Sequence, residues 1–226
     1  GIASFGDNPR AQQFIDNALD LRMNQWFASW YNDFGRGGVF AEGPDYGAVM
    51  LSYPLVPFVS AADFGYDPYA ATPFFREALY ALIYGTTPGP TTITGQFSGG
   101  SLLFPFNDDE SFREGSVINV RDYLGNYART FGQRVPASGN ARAIRAWLTS
   151  TNAGRGWMFD ALGGSGDPAD ITSLPLDYYA PGAAVLYSRS GHDASAMEVH
   201  VQLGTPGGVE HRHRDAGNFQ VWRKGR

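Results

Sequence analysis

The residues best suited to chemistry in this chain lie in one short run, Glu210-His211-Arg212-His213-Arg214-Asp215-Ala216-Gly217-Asn218-Phe219. It holds two of the four histidines. On an extended segment alternate side chains share a face, so His211 and His213 would point the same way. Two imidazoles with a carboxylate beside them make the nucleus of a metal site, because zinc takes His nitrogen and carboxylate oxygen readily. The same spacing also suits a solvent-exposed polar loop, and both readings stand on spacing alone. His192 and His200 are isolated in sequence and read as ordinary surface or strand histidines. The chain has no cysteine, which excludes a thiolate nucleophile, a disulfide framework and cysteine-ligated zinc or iron–sulfur.

Composition narrows the function classes. Seventeen basic residues against 22 acidic give a net charge of −5, with no basic run, a poor match to nucleic-acid binding. Only 17% of residues are charged, below the usual share of about a quarter. Aromatic residues reach 15%, which suits either stacking on sugar rings or a core rich in Phe and Tyr. No stretch approaches the roughly eighteen apolar residues of a membrane span, and residues 1–8 carry neither a basic start nor an apolar run. A soluble protein is expected, without membrane contact. The 226 residues suffice for one large or two small domains.

The elements that must position the histidines follow from periodicity. Asn8-Pro9 offers a helix start, after which Phe14, Ile15, Ala18, Leu19, Met23, Trp26, Phe27, Trp30, Tyr31 and Phe34 recur at three- and four-residue spacing. That predicts a long amphipathic helix ending at Gly35-Arg36-Gly37-Gly38. A second helical stretch runs from near Glu42 toward Phe64, kinked or broken at Pro54 and Pro57. A third starts at Thr72-Pro73 and reaches Tyr84. Two more are expected near 117–131 and 137–149, then a Gly-rich connector over 152–170. From there the period changes: 183–189, 197–203 and 218–222 read as strands. Helices first and strands last give an α+β chain, divided into 1–165 and 166–226. After the last strand, Arg223–Arg226 reads as a turn with no partner strand following, which suggests a fragment or proteolytic product.

The motif His211-x-His213-x-Asp215-x-Gly217-x-Phe219, placed after helical hairpins at the start of a β region, resembles the heparinase II/III-like family of polysaccharide lyases. Ala180-Pro-Gly-Ala-Ala-Val-Leu-Tyr-Ser-Arg189 is similar to the strand that leads into the family's sheet, with an Arg near its end. Gly37-Gly38-Val39-Phe40-Ala41-Glu42-Gly43-Pro44-Asp45-Tyr46 resembles the family's Gly-x-Phe-x-Glu-Gly-x-x-Tyr segment, and Phe104-Pro-Phe-Asn-Asp108 resembles its Asp-bearing loop. The resemblance covers most of the chain. It implies an incomplete α/α toroid followed by an antiparallel β-sandwich of which only the first strands are present. It also implies cleavage of a uronic-acid-containing polysaccharide, a glycosaminoglycan or alginate-like polymer, by β-elimination in a periplasmic or secreted setting.

That reaction needs a neutralised carboxylate, a base for the C5 proton and an acid for the leaving oxygen. By resemblance, His211 faces the cleft as one of the Tyr/His acid–base pair, and His213 is a structural zinc ligand whose Asp and His companions lie beyond residue 226. A second chain or fragment would complete the sandwich. Tyr84, just before Gly85-Thr-Thr-Pro88, is the best local match to the family's Tyr, with Tyr80 one turn earlier in reserve. A phenol with its ordinary pKa near 10 is a poor base at neutral pH, so a nearby cation must lower it. Glu42 and Tyr46, four apart at a helix opening, would share a face lining the cleft or simply cap the helix. One departure stands out: where many members carry Asn-His, this chain has Arg36-Gly37. Arg36 either binds the substrate carboxylate or is a loop charge, and Arg189 belongs to a basic supply in the C-terminal third that suits an anionic ligand. The departure keeps a second reading open, a non-catalytic carbohydrate-binding protein on a lyase scaffold. A metal hydrolase is a weaker third, lacking another cluster of metal ligands.

Overall fold

The computed structural model describes residues 7–52, 55–62, 65–67, 72–90, 101–107, 142–143, 146–147, 170–204 and 213–226. The helix expected near 117–131, the connector over 152–169 and His211 lie outside the described residues. Helix α1 (Ala11–Asp16) runs through a π-helical stretch (Asn17–Phe27) into α2 (Ala28–Asp33), followed by α3 (Pro44–Ser52), α4 (Leu55–Ala62) and α5 (Pro73–Gly85). Arg142, Ala143, Ala146 and Trp147 are helical too, where a helix was expected. No helix among the described residues is long and apolar enough to cross a membrane. A 3₁₀ turn (Ile171–Ser173) leads into β1 (Asp177–Ala180), β2 (Val185–Arg189), β3 (Glu198–Gln202) and β4 (Phe219–Trp222). The strands form one antiparallel sheet in the order β1-β2-β3-β4. The architecture is therefore α+β, helices before strands.

Two local differences from the sequence pattern have physical causes. The first helix begins at Ala11, because the Asn8 side chain closes a turn by accepting from the Arg10 N–H at 2.9 Å. Its middle is π-helical, and i→i+5 bonding turns successive residues by less than an α-helix does. Residues three and four apart then drift off one line. Trp26 is 55% exposed, and Arg22 lies over its ring at 4.5 Å.

Helix α5 is the centre of the fold. Thr72 is extended ahead of Pro73, which starts the helix with φ already fixed. Most later residues are buried, and Pro73, Arg76, Glu77 and Tyr80 mark the one stripe that is not. One side packs Phe74, Phe75, Leu79 and Ile83 against Tyr31, Phe40, Leu51, Phe58 and Trp147. The other packs Ala81 and Tyr84 against Phe104, Phe106, Val185, Tyr187 and Trp222. The Tyr31 ring stacks on Phe74 with centroids 4.6 Å apart.

The loop after α2 fits tightly between α5 and the sheet. Gly37 and Gly38 have φ of 87° and 74°, values that favour glycine. A Cβ on Gly37 would lie 2.5 Å from the Ala180 Cα, and one on Gly38 would meet the backbone of Glu77 and Ala78. Three hydrogen bonds hold the loop: Gly37 N–H to Glu77 Oε2 (2.7 Å), Tyr178 O–H to the Gly37 carbonyl (2.8 Å), and Gly182 N–H to the Arg36 carbonyl (2.9 Å).

The sheet inverts the usual polarity of its faces. Buried on the inward face are Val185, Tyr187 and Arg189 of β2 and Glu198, His200 and Gln202 of β3. The opposite face carries the cross-strand row Tyr179, Leu186, Val201 and Phe219, with Tyr179 50% and Phe219 65% exposed.

Gly38→Ala should destabilise the fold by about 3 kcal/mol, because the new methyl meets the α5 backbone at a strained φ. Chemical denaturation checks this, with Gly65→Ala as comparison, since nothing lies near a Cβ at Gly65 although its φ is also positive.

Candidate functional site

Two polar constellations sit at opposite ends of the buried sheet face. The first gathers around Asn107, which adopts φ 54° in the left-handed region where Asn is among the tolerated residues. Its side-chain amide donates to the Ala41 carbonyl at 2.6 Å, and its Oδ1 accepts from the His213 N–H at 3.0 Å. Its own N–H donates to Asp215 Oδ2 at 3.3 Å. One asparagine thus ties the end of the histidine motif to the residue beside Glu42. Gln220 donates to the Pro105 carbonyl from β4 and fixes the same segment against the sheet.

Within this constellation Glu42 is buried, and it precedes α3, which opens at Pro44. It therefore does not share a helix with Tyr46, whose ring packs partly buried against the helical core. His213 is half exposed, its Nδ1 4.0 Å from Asp215 Oδ2. Among the described residues no group of three or more His, Asp or Glu is placed to hold a metal ion. His213 and Asp215 supply two donors where a structural zinc site takes four. The described residues do not by themselves make a zinc site.

The second constellation closes the C-terminal end of α5. Arg189 is buried, and its Nη2 lies 3.0, 3.2 and 3.1 Å from the carbonyls of Ile83, Tyr84 and Thr86. Ile83 and Tyr84 are among the carbonyls a helix end leaves without partners, at the negative end of its dipole, and Thr86 follows just past it. The same nitrogen meets Glu198 Oε2 at 2.7 Å. Glu198 is fully buried, and burial pushes its carboxyl up to about 8, with Arg189 pulling it back only in part. Next along β3, His200 stacks on Tyr187 at 5.1 Å, and burial lowers its imidazole to about 4.

Tyr84 lies between this clamp and β1. Its ring stacks on Tyr178 at 4.9 Å and 7°, and its hydroxyl donates to the Pro175 carbonyl at 2.5 Å. Burial raises the phenol above its ordinary value, while Arg189, 5.3 Å from the ring, draws it down. Tyr80 is half buried, on the far side of Tyr178 at 6.3 Å. The Arg36 side chain is exposed, while its carbonyl bonds Gly182. So the backbone at Ala41, next to Glu42, and at His213 is tied together through Asn107, and Tyr84 and Arg189 meet at the other end. Asn107, Glu198 and His200 were not singled out for the site from sequence. For Glu198 the one available signal was its pairing position opposite Arg189 across two short strands.

No family model matches this chain, and no curated protein matches it.

Glu198 and His200 give opposite pH slopes. Glu198 holds its proton in the folded state up to about pH 8, so its contribution falls as pH rises from the ordinary 4.5 through that value. His200 stays neutral down to about pH 4, so its contribution is lost as pH falls from the ordinary 6.5 through that value. Between 4.5 and 6.5 the two slopes cancel. Above that window, Glu198 alone should cost about 2 kcal/mol by pH 8. Melting temperature against pH, compared with Glu198→Gln, checks this: the variant should lose that alkaline decline.

Proposed function

We propose that this chain is a polysaccharide lyase of the heparinase II/III-like kind, acting on a uronate-containing polymer by β-elimination. The observation that carries the reading is the bonding of Asn107. The two sequence motifs that suggested the family, one around Glu42 and one around His213, lie far apart in the chain and are held to the same side chain. Side chains on separate elements must converge before a proton can be taken at one carbon and given at a neighbouring oxygen.

In this reading His211 takes part in the proton transfers with a tyrosine, Tyr84 by the sequence match although it lies at the other end of the sheet face, and a cation neutralises the uronate carboxylate so that charge can develop at the carbon losing its proton. Of the two arginines expected to bind substrate, Arg36 is exposed on its loop and can reach a polymer, whereas the Arg189 guanidinium is bonded to the α5 carbonyls and Glu198. Glu42 and Tyr46 line the cleft. Structural zinc on His213 belongs to the same proposal, with ligands from beyond residue 226. The incomplete toroid and the sandwich belong to it too; the exposed row Tyr179, Leu186, Val201 and Phe219 is the kind of face that a second sheet, from this or another chain, covers. A periplasmic or secreted location follows from such a substrate.

A second reading is favoured by Tyr84 itself. Its hydroxyl proton is directed at a backbone carbonyl and its pKa is raised, the reverse of what a base needs. With Arg36-Gly37 in place of Asn-His, this supports a carbohydrate-binding protein without turnover.

The ultraviolet absorbance of the unsaturated uronate product decides between them, using heparan, chondroitin, hyaluronan and alginate as substrates. The lyase reading expects turnover that drops by roughly a hundredfold or more in both His211→Ala and Tyr84→Phe. Glycan binding without any absorbance rise, unchanged in His211→Ala, supports the second reading and overturns the first. Metal analysis of the wild type and His213→Ala tests the zinc.

A further inference from the structure

Strand β4 is an edge of the sheet, and its backbone groups point alternately inward and outward. Gln202 N–H donates to the Asn218 carbonyl at 2.9 Å, so Gln220 and Trp222, two and four residues on, turn their N–H and C=O groups toward β3. Those of Phe219 and Val221 then face away from the sheet, and among the described residues nothing bonds them. The opposite edge, β1, lies between Pro175 and Pro181, residues that discourage pairing, whereas Phe219–Trp222 holds neither proline nor charge.

Arg223 comes next in the outward series, and it is paired. Its N–H donates to the Arg226 carbonyl at 2.7 Å, and the Arg226 N–H donates back to its carbonyl at 3.2 Å. Between them Lys224 and Gly225 have φ of 54° and 84°, the two positive values of the type I′ turn that joins antiparallel strands. Arg226 thus stands as the first rung of a strand beside β4, and the rungs at Val221 and Phe219 are open. Donors and acceptors repeating every second residue match another extended backbone.

The edge also selects side chains, because residues opposite one another across a ladder share a face. Those opposite Trp222 and Gln220 would point inward, at a groove of about 150 Å³ lined by Leu102, Phe104, Pro105, Gln220, Trp222 and Arg226, among others. Those opposite Val221 and Phe219 would lie on the exposed outer face. An antiparallel strand begins beside the turn, where Arg223, Lys224 and Arg226 are exposed, so its first residue is best acidic. Its next inward residue, toward Leu102 and Phe104, is best apolar.

We propose that the β4 edge binds an extended segment of a partner polypeptide, added antiparallel as a fifth strand, with an acidic residue at its start and an apolar one two places on. The site does not depend on the lyase reading.

Fluorescence anisotropy of the full chain with the labelled peptide Glu-Thr-Leu-Thr-Val tests it. The peptide should bind saturably, one per chain. Methylating its two threonine amide nitrogens, the donors to the Val221 and Phe219 carbonyls, should weaken binding about tenfold, and lysine in place of glutamate should weaken it as well. Val221→Pro removes an N–H that β3 does not use, so the variant should melt as the wild type does and lose the peptide. No saturable binding would overturn the proposal. So would unchanged affinity for the methylated or lysine peptide, or in a folded Val221→Pro variant. A dimer of the chain alone, dispersed by Val221→Pro, would assign the edge to a second copy and overturn it too.

Discussion

The C-terminal end of α5 would be untenable inside this protein without Arg189. A helix end leaves carbonyls without partners, and here that end is buried under a sheet. One guanidinium reaches the carbonyls of Ile83 and Tyr84 and of Thr86 just past the helix, and meets the buried carboxyl of Glu198 on the next strand. The consequences spread outward. Strand β2 must place its last residue at the helix end, β3 must present Glu198 opposite it, and the sheet must turn a partly polar face inward. Gln202 repeats the solution at the other end of β3, donating to the carbonyls of Ala183 and Gly204 at 2.8 Å each.

The glycine loop is the other half of the same junction. With α5 fixed against the sheet, the chain leaving α2 has only a narrow passage between Ala78 and Ala180. Two glycines at positive φ pass through it, and Glu77 and Tyr178 bind the backbone there. This gives Arg36-Gly37 a packing role whatever its relation to substrate. A histidine at position 37 would put its Cβ against the Cα of Ala180. Of that pair the packing requires Gly37, while Arg36 contributes only its backbone carbonyl.

Much of the candidate site was legible as motif and little of it as geometry. His213 and Glu42 could be picked out because residue types at short spacing are a one-dimensional signal. Asn107 could not, because its role is to bond two segments distant from it in the chain, one at Ala41 and one at His213 and Asp215. Tyr84 was legible as a tyrosine at a helix end. Its raised pKa and its bond to Pro175 come from a segment about ninety residues later that no local pattern connects to it. His200 read as an ordinary strand histidine, and only burial against Tyr187, Phe104 and Phe106 makes it neutral.

The sequence by itself determined the order of elements: helices first, then short strands, with Pro73 opening the central helix and glycines closing α2. Those features are local, since periodicity, proline and glycine act on the backbone within a few residues. It also determined the period of β3, with Glu198, His200 and Gln202 on one face and Val199 and Val201 on the other. Which face turns inward was decided by the tertiary structure alone. Apolar burial by itself would favour the valines, and the open carbonyls at the end of α5 reversed the choice. Strand β1, short and lying between Pro175 and Pro181, was not read as a strand at all. It exists because Tyr178 stacks on Tyr84 and its hydroxyl bonds Gly37, contacts that form only once helix and sheet have met.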